Sequence, residues 1–90
     1  MQHGFHLTVT GKVQGVGYRR WFAQLAQSKG LRGYVKNLST GEVEAVIIGL
    51  SHTLQEALEQ SLIGPSQAKV MCLDYRSCSA YGYQDFQILR

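Results

Sequence analysis

Acidic residues are missing from the first 41 positions of this 90-residue chain. All six Asp and Glu residues lie in residues 42–90, whereas residues 1–41 carry six of the nine Lys and Arg residues. The formal net charge of +3 therefore divides into +6 for the first part and −3 for the second. Magnesium and calcium prefer anionic oxygen ligands, so a half-chain without carboxylates is a poor place for either ion. We expect this half to attract an anion.

Proline, charged residues and long apolar runs are also scarce. The chain has one Pro and only 17% charged residues, a composition that argues against a disordered tail. No run of 18 apolar residues occurs, so we expect no membrane span. Residues 1–5 lack the basic start and apolar stretch of a signal peptide. A chain of this size forms one core, so we predict a single domain over residues 1–90, cytoplasmic and monomeric.

The two cysteines, Cys72 and Cys78, are six positions apart in a segment with strand character. On one strand this separation spans about 20 Å, which is too far for a disulfide bond. Reduced thiols are the simplest interpretation, and they fit a cytoplasmic protein. The three His residues are scattered, and no Cys/His cluster has zinc spacing. We therefore expect neither a bound metal nor a cofactor.

Hydrophobic periodicity predicts the element order βαββαβ followed by a short closing strand. The predicted strands cover residues 5–10, 31–36, 43–48, 70–78 and 86–89. A first helix should begin at Tyr18 and end near Gly30. The uninterrupted apolar run of residues 46–48 indicates a strand covered on both faces, hence a central one. This order predicts an α+β, ferredoxin-like sandwich, an antiparallel sheet with two helices on one face plus a short extra C-terminal strand.

The inner faces of both helices follow from the spacing of their apolar residues. The first helix should bury Tyr18, Phe22, Leu25 and Ala26, and the second should bury Leu54, Ala57, Leu58, Ser61 and Leu62. Thr53 and Glu56 have the spacing of a capping box, which predicts the N-terminus of the second helix. Gly64 and Pro65 should end that helix.

A glycine-rich segment between the first strand and the first helix is the most informative feature. It runs from Gly11 to Gly17 with three glycines in seven residues, and Arg19 follows in the first helical turn. Unpaired N–H groups and the dipole of a helix N-terminus attract phosphate-sized anions, and Gly15 and Gly17 allow the backbone to turn these groups together. Arg19 would add a planar fork for two phosphate oxygens. The spacing matches neither a Walker A loop nor a dinucleotide fingerprint.

Two blocks of sequence resemble the acylphosphatase family. The first runs Gly-Lys-Val-Gln-Gly-Val-Gly-Tyr-Arg from Gly11 to Arg19, and the second runs Gly-Leu-Arg-Gly-Tyr-Val-Lys-Asn from Gly30 to Asn37. Similar stretches at Gly41–Glu44, Gly64–Pro65 and Tyr83–Ile88 extend the resemblance over essentially the whole chain. One departure is Thr40, where many members carry Asp directly before the Gly.

The resemblance implies an enzyme that hydrolyses acyl phosphates to a carboxylate and inorganic phosphate. It implies that Arg19 binds the phosphoryl group and that Asn37 holds the attacking water. The phosphate-binding backbone would belong to Gln14, Gly15, Val16, Gly17 and Tyr18. The partners would be a small acyl phosphate and inorganic phosphate, the latter as product and inhibitor, with no membrane and no nucleic acid.

The chemistry of the residues agrees with this implication. Phosphoryl transfer depends mostly on positioning and charge stabilisation, and a carboxylate leaves readily, so neither a metal nor a covalent nucleophile is required. We expect His6, on an alternating strand, to be a surface residue, and we infer that the substrate phosphate accepts the proton of the water. Neighbours on a helix point about 100° apart, so Arg20 should be solvated.

Two non-catalytic alternatives share the predicted fold. RNA-recognition domains are also ferredoxin-like, and the basic first half together with Arg32–Val35 superficially resembles the start of their stacking strand. However, position 35 is Val where Gly or Ala belongs, and the segment lies on the second strand instead of the third. A regulatory acylphosphatase-like domain without activity is the other alternative. The presence of both Arg19 and Asn37 argues against it.

Overall fold

A computed structural model describes residues 2–89 of the chain as one sheet covered by two helices. The elements in chain order are β1 (Gln2–Lys12), α1 (Tyr18–Ser28), β2 (Arg32–Asn37), β3 (Val43–Leu50), α2 (Ser51–Ile63), β4 (Lys69–Cys78) and β5 (Phe86–Leu89). The predicted order is therefore correct. Neither helix among residues 2–89 is long and apolar enough to cross a membrane.

The strand order across the sheet is β4-β1-β3-β2-β5. The pairs β1–β3, β1–β4 and β2–β3 are antiparallel, as expected for the ferredoxin-like core. The closing strand β5 pairs in parallel with β2, so the complete sheet is mixed. β3 lies in the centre, and its residues 46–48 are all buried, as their uninterrupted apolar run predicted.

One face of the sheet packs against both helices. Leu7 and Val9 of β1 are fully buried in the same core as the inner residues of α1 and α2, whereas His6 and Thr8 between them are half-buried on the other face. α1 lies over β2 and β5, and α2 lies over β3 and β4. Burying a large apolar side chain contributes about 1.5–3 kcal/mol, so this layer stabilises most of the fold.

The inner face of α1 differs from its prediction by one residue. Tyr18, Phe22 and Ala26 are buried as expected, but Leu25 is only half-buried and Ala23 is buried in addition. The helix ends at Ser28, and Gly30 reverses the chain with a φ of 68°. The positive φ is why glycine follows this helix.

The predicted start of α2 is wrong. The helix begins at Ser51, directly after β3, and the residue before it is Leu50, so no side chain caps this end. Thr53 therefore lies inside the first turn, where it cannot act as the cap of a capping box. The strand passes into the helix without a loop, and this tertiary connection overrides the local signal.

The inner face of α2 is correct for four of its five predicted residues. The buried residues are Leu54, Ala57, Leu58 and Ser61. Leu62 was expected with them but is 54% exposed. It lies about 80° around the helix from Leu54, because eight residues at 100° each overshoot two turns, and the core does not extend that far at the end of the helix.

Candidate active site

Backbone conformation in the loop between β1 and α1 explains its glycines. Gly15 has a φ of 74° and Gly17 has a φ of 81°, values that side chains with a Cβ rarely adopt. Val16 between them keeps a negative φ, since no residue other than Gly has a positive one among the described residues. Such alternation along three residues turns successive N–H groups toward one side, the arrangement that binds anions.

The N-terminus of α1 opens directly from this loop. The first intrahelical hydrogen bond runs from the Trp21 N–H to the Gly17 carbonyl, 2.9 Å, so the N–H groups before Trp21 have no acceptor within the helix. No side chain caps this end, and its first turn contains no acidic residue. The positive end of the helix dipole and the unpaired N–H groups are thus available to an anion.

Gln14 fixes the loop to the β2–β3 hairpin. Its Nε2 donates to the Leu38 carbonyl at 2.8 Å and to the Glu42 carbonyl at 2.9 Å. Gln14 was expected to contribute only its backbone N–H, so this side-chain role was missed. It holds the glycine loop against the segment that follows Asn37.

The loop, the start of α1 and the end of β2 surround an open cavity of about 200 Å³. Its lining residues are Val13, Gly15, Gly17, Tyr18, Arg19, Arg20 and Asn37. The structure therefore brings together Arg19 and Asn37, which come from two different elements. Of the other predicted loop residues, Gln14 and Val16 lie beside the cavity without lining it, and Val16 packs against the core.

Arg19 is half-buried in the first turn of α1. Its Nη1 donates to the Leu89 carbonyl of β5 at 3.1 Å, a contact between residues 70 positions apart. Within residues 2–89 its other guanidinium N–H groups have no hydrogen-bond acceptor, which leaves part of the fork for a ligand. β5 therefore orients the arginine, a role that no local signal in the sequence indicates.

Asn37, the last residue of β2, carries the most unusual atom of the cavity. Its Oδ1 is buried and has no hydrogen-bond partner among the residues that the structure describes. Leaving a buried acceptor unpaired costs about 1–3 kcal/mol, so native proteins rarely do so without a functional reason. The described residues therefore supply no donor for this acceptor.

Tyr18 anchors the helix beneath the cavity. Its hydroxyl donates to the Ser61 carbonyl of α2 at 2.8 Å. The centroid of its ring lies 5.4 Å from the ring centroid of Trp21 and 6.1 Å from that of Phe22. Burial raises the pKa of Tyr18 far above its ordinary value, although the hydrogen bond to Ser61 opposes the shift. The tyrosine remains a neutral packing residue, which fixes the position of the first helical turn.

Arg20 is exposed, as expected. It also lines the cavity, which the angle between neighbouring helix residues did not indicate. In the described part of the chain, the cavity lining contains two arginines and no Asp, Glu or His. Its electrostatic character is therefore positive, which suits an anionic ligand.

The opposite face of the sheet carries a separate polar cluster around Glu44. His6 Nε2 lies 3.2 Å from Glu44 Oε2, and the Tyr34 hydroxyl donates to Glu44 Oε1 at 2.8 Å. Burial alone would raise the pKa of Glu44, but these hydrogen bonds and the nearby charges of His6 and Lys36 outweigh it, so the pKa lies below 4.5. His6 is thus a partner of Glu44 and does not line the cavity beside Arg19.

Comparisons with known proteins agree with these observations. The sequence profile of the acylphosphatase family matches residues 5–88. This chain belongs to the acylphosphatase family. An acylphosphatase of Azorhizobium caulinodans is 50% identical to it over 70 residues, 78% of this chain and 75% of the relative.

Solved structures have the same fold. An acylphosphatase from Coxiella burnetii matches with a TM-score of 0.94 at 36% identity, covering 98% of this chain and 93% of that one. Full-length HypF matches with a TM-score of 0.93 at 25% identity, covering all of this chain but 12% of that one. The acylphosphatase fold therefore also occurs as a small part of a much larger protein.

The family establishes what the enzyme does. It is an acylphosphatase, and it hydrolyses acyl phosphates to a carboxylate and inorganic phosphate. The family and the function implied by the two sequence blocks are both confirmed, as is the ferredoxin-like fold. Its substrate is a small molecule that carries an acyl phosphate group.

The contacts of the β2 residues that suggested RNA binding do not favour the RNA-binding alternative. Tyr34 donates its hydroxyl to Glu44, and its ring lies 5.9 Å from that of Tyr83. Arg32 Nη1 donates to the Tyr83 carbonyl at 2.9 Å. The aromatic and basic residues that suggested a stacking strand are thus engaged within the acylphosphatase fold.

Proposed function

We propose that the cavity between the glycine loop and β2 is the active site of this acylphosphatase, in which Arg19 binds the phosphoryl group and Asn37 positions the attacking water. The observation that carries the proposal is that Asn37, whose buried Oδ1 has no donor among residues 2–89, lines the same cavity as Arg19. A water that donates to this atom would lie beside the group that Arg19 holds.

The phosphoryl group is bound from two sides. Backbone N–H groups act on one side, from Gln14, Gly15, Val16, Gly17 and Tyr18. On the other side the guanidinium of Arg19 forms charge-assisted hydrogen bonds, which are about twice as strong as neutral ones. The alternating φ values of the loop and the open N-terminus of α1 support this arrangement. Donors that are fixed before the substrate binds need no reorganisation when charge develops on the phosphoryl oxygens.

The attacking water is oriented without a protein base. Asn37 Oδ1 accepts one of its hydrogen bonds and directs its lone pair at phosphorus, opposite the leaving carboxylate. Phosphoryl transfer has a loose transition state, so the water keeps its proton until bond formation is advanced. Since no Asp, Glu or His among residues 2–89 lines the cavity, we assign the proton to a phosphoryl oxygen of the substrate.

The reaction needs no metal or cofactor in this proposal. Apart from Tyr18, whose hydroxyl donates to Ser61, the polar side chains of the lining within residues 2–89 are two arginines and one asparagine, a set to which divalent cations bind poorly. Arg19 and the backbone N–H groups supply the positive charge that a metal would otherwise provide. Addition of EDTA is expected to leave the rate of benzoyl phosphate hydrolysis unchanged, and strong inhibition would contradict the proposal.

Substitution of Arg19 tests the phosphoryl site. Arg19→Ala is expected to lower kcat/KM for benzoyl phosphate by about 10²–10³-fold, the usual loss for a donor that acts on transition-state charge. Arg19→Lys should lose nearly as much, because an ammonium cannot replace the bidentate fork. Arg76→Gln is the control, since it removes one positive charge from β4, outside this cavity. Wild-type rates in either Arg19 variant would refute the assignment.

The remaining partner assignments follow from the same site. Inorganic phosphate is expected to inhibit competitively, because it carries the oxygens that Arg19 and the loop bind. We place the enzyme in the cytoplasm, since Cys72 and Cys78 are free thiols and a reducing compartment keeps such thiols reduced. We assign it a monomeric state, the default for a chain of this size. We assign it no nucleic-acid or membrane partner. Gel filtration and localisation of a tagged chain test these points.

A further inference from the structure

Arg20 is a positively charged residue of the cavity lining, and it has no role in the proposed phosphoryl site. The carboxylate-free first part of the chain carries six cations, of which four bind atoms of the protein. Arg19 donates to a β5 carbonyl, Arg32 to the Tyr83 carbonyl, Lys29 pairs with Glu56 and Lys36 pairs with Glu44.

Lys12 and Arg20 are the other two cations of this part. Both are exposed, and neither has a hydrogen bond or an ion pair within residues 2–89. Only Arg20 lines the cavity that holds Arg19 and Asn37. Its charge is therefore not neutralised by the described part of the protein, and it stands at the rim of the site.

The polar side chains of the lining differ in exposure. Arg20 is exposed, whereas Arg19 and Asn37 are half-buried. In the proposed site the phosphoryl group binds to Arg19 and the water to Asn37. The acyl group, which leaves as a carboxylate, can then extend toward Arg20, which among residues 2–89 is the one other charged side chain of the lining.

We propose that Arg20 is a specificity residue that favours acyl phosphates with a second anionic group on the acyl part, such as the monophosphate of a dicarboxylic acid. This inference rests on the proposed assignment of the cavity as the active site. A carboxylate at the far end of the acyl group would pair with the guanidinium at the rim. Because that contact is remote from phosphorus, it should act on substrate binding and leave the chemical step unchanged.

A matched pair of substrates tests the proposal. One is 4-carboxybenzoyl phosphate, and the other is its methyl ester, which has the same ring and the same acyl phosphate but no second charge. We expect the wild type to show a higher kcat/KM for the carboxylate. In Arg20→Gln this preference should fall about two- to fivefold, the range for a partly exposed ion pair. The loss should appear in KM, with kcat little changed.

Two further variants distinguish a direct contact between Arg20 and the substrate carboxylate from a general effect of the positive charge of the protein. Arg20→Lys keeps the charge and should retain most of the preference. Lys12→Gln removes the other unpaired cation of the same part of the chain and should leave the preference intact. The preference of the wild type should also decline as salt is raised, because exposed charges are screened.

The outcomes distinguish this inference from the assignment on which it rests. An unchanged preference in Arg20→Gln, or an equal loss in Lys12→Gln, overturns the role of Arg20 even if both variants hydrolyse benzoyl phosphate normally. If instead Arg19→Ala hydrolyses benzoyl phosphate like the wild type, the cavity is not the active site, and the role of Arg20 fails with it.

Discussion

Substitution of Asn37 by Ala separates a catalytic role from a structural one. If Asn37 orients the attacking water, its loss leaves the water free to rotate and shift. A misplacement of about 1 Å near the reacting atoms costs on the order of 10²-fold in rate, so we expect kcat for benzoyl phosphate to fall about 100-fold. The phosphoryl ligands remain, so KM and the inhibition constant of inorganic phosphate should change by less than about threefold.

The same substitution should have little effect on stability. A buried polar group with protein partners costs about 1–3 kcal/mol when it is removed, because those partners lose their hydrogen bonds. Asn37 Oδ1 has no partner among residues 2–89, so no protein donor is left unsatisfied by its removal. We expect the free energy of unfolding to change by less than about 1 kcal/mol, which corresponds to at most about 4–8 °C in Tm for a domain of this size.

Two results would refute this reasoning. A kcat within about threefold of wild type would mean that Asn37 only ends the strand, as Asn often does at turns. A decrease in Tm well beyond about 8 °C would mean that its role is structural. Thr40→Ala is the control, because Thr40 lies in the same hairpin and makes only an exposed hydrogen bond to Glu42. It should keep the wild-type kcat.

Three further substitutions test the supports of the site. Gln14→Ala removes two hydrogen bonds to the β2–β3 hairpin, so urea denaturation should show that the free energy of unfolding falls by about 1–3 kcal/mol. The kcat should fall as well. An unchanged free energy of unfolding would contradict the role of these hydrogen bonds. Tyr18→Phe removes one hydrogen bond to Ser61, and calorimetry should show a Tm lower by about 4–8 °C with kcat within about twofold. Burial raises the pKa of Glu44, but its hydrogen bonds lower that pKa by more, so in the folded protein it lies below the ordinary value of 4.5. The stabilisation that the ionised Glu44 contributes is therefore complete above that value and is lost as pH falls. The advantage of the wild type over Glu44→Gln in unfolding free energy should therefore shrink as the pH falls through the acidic range, and a constant difference would contradict the shift.

The elements of the fold were predictable where the signal is local. Alternation in β1 and the helical spacing of Tyr18, Phe22 and Ala26 depend only on residues close in sequence, and these predictions are correct. The capping box at Thr53 is also a local signal, but it is wrong because β3 passes directly into α2. The parallel pairing of β5 with β2 was not predictable, since the sequence of its four residues does not indicate which edge of the sheet is free.

The residues of the candidate site also divide into those that the local sequence predicts and those that it does not. Arg19 and Asn37 were named from contiguous sequence blocks, and the fold brings both to one cavity. The side-chain contacts of Gln14 and the carbonyl of Leu89 escaped prediction, because their partners are 24 to 70 positions away in the chain. Arg20 is exposed, as expected, but its place in the cavity lining was not predicted, because an angle around one helix does not describe a cavity that three segments enclose.

The hydrogen bond from Arg19 to Leu89 has a consequence for biosynthesis. The glycine loop and the arginine leave the ribosome early, but the carbonyl that orients the guanidinium is 70 positions further along. At about 5–20 residues per second, roughly 4–14 s of translation separate the two. Until β5 has emerged and paired with β2, a nascent chain can hold the phosphate loop but not the oriented arginine. Activity should therefore begin only after residue 89 has been made, and not gradually as the domain grows.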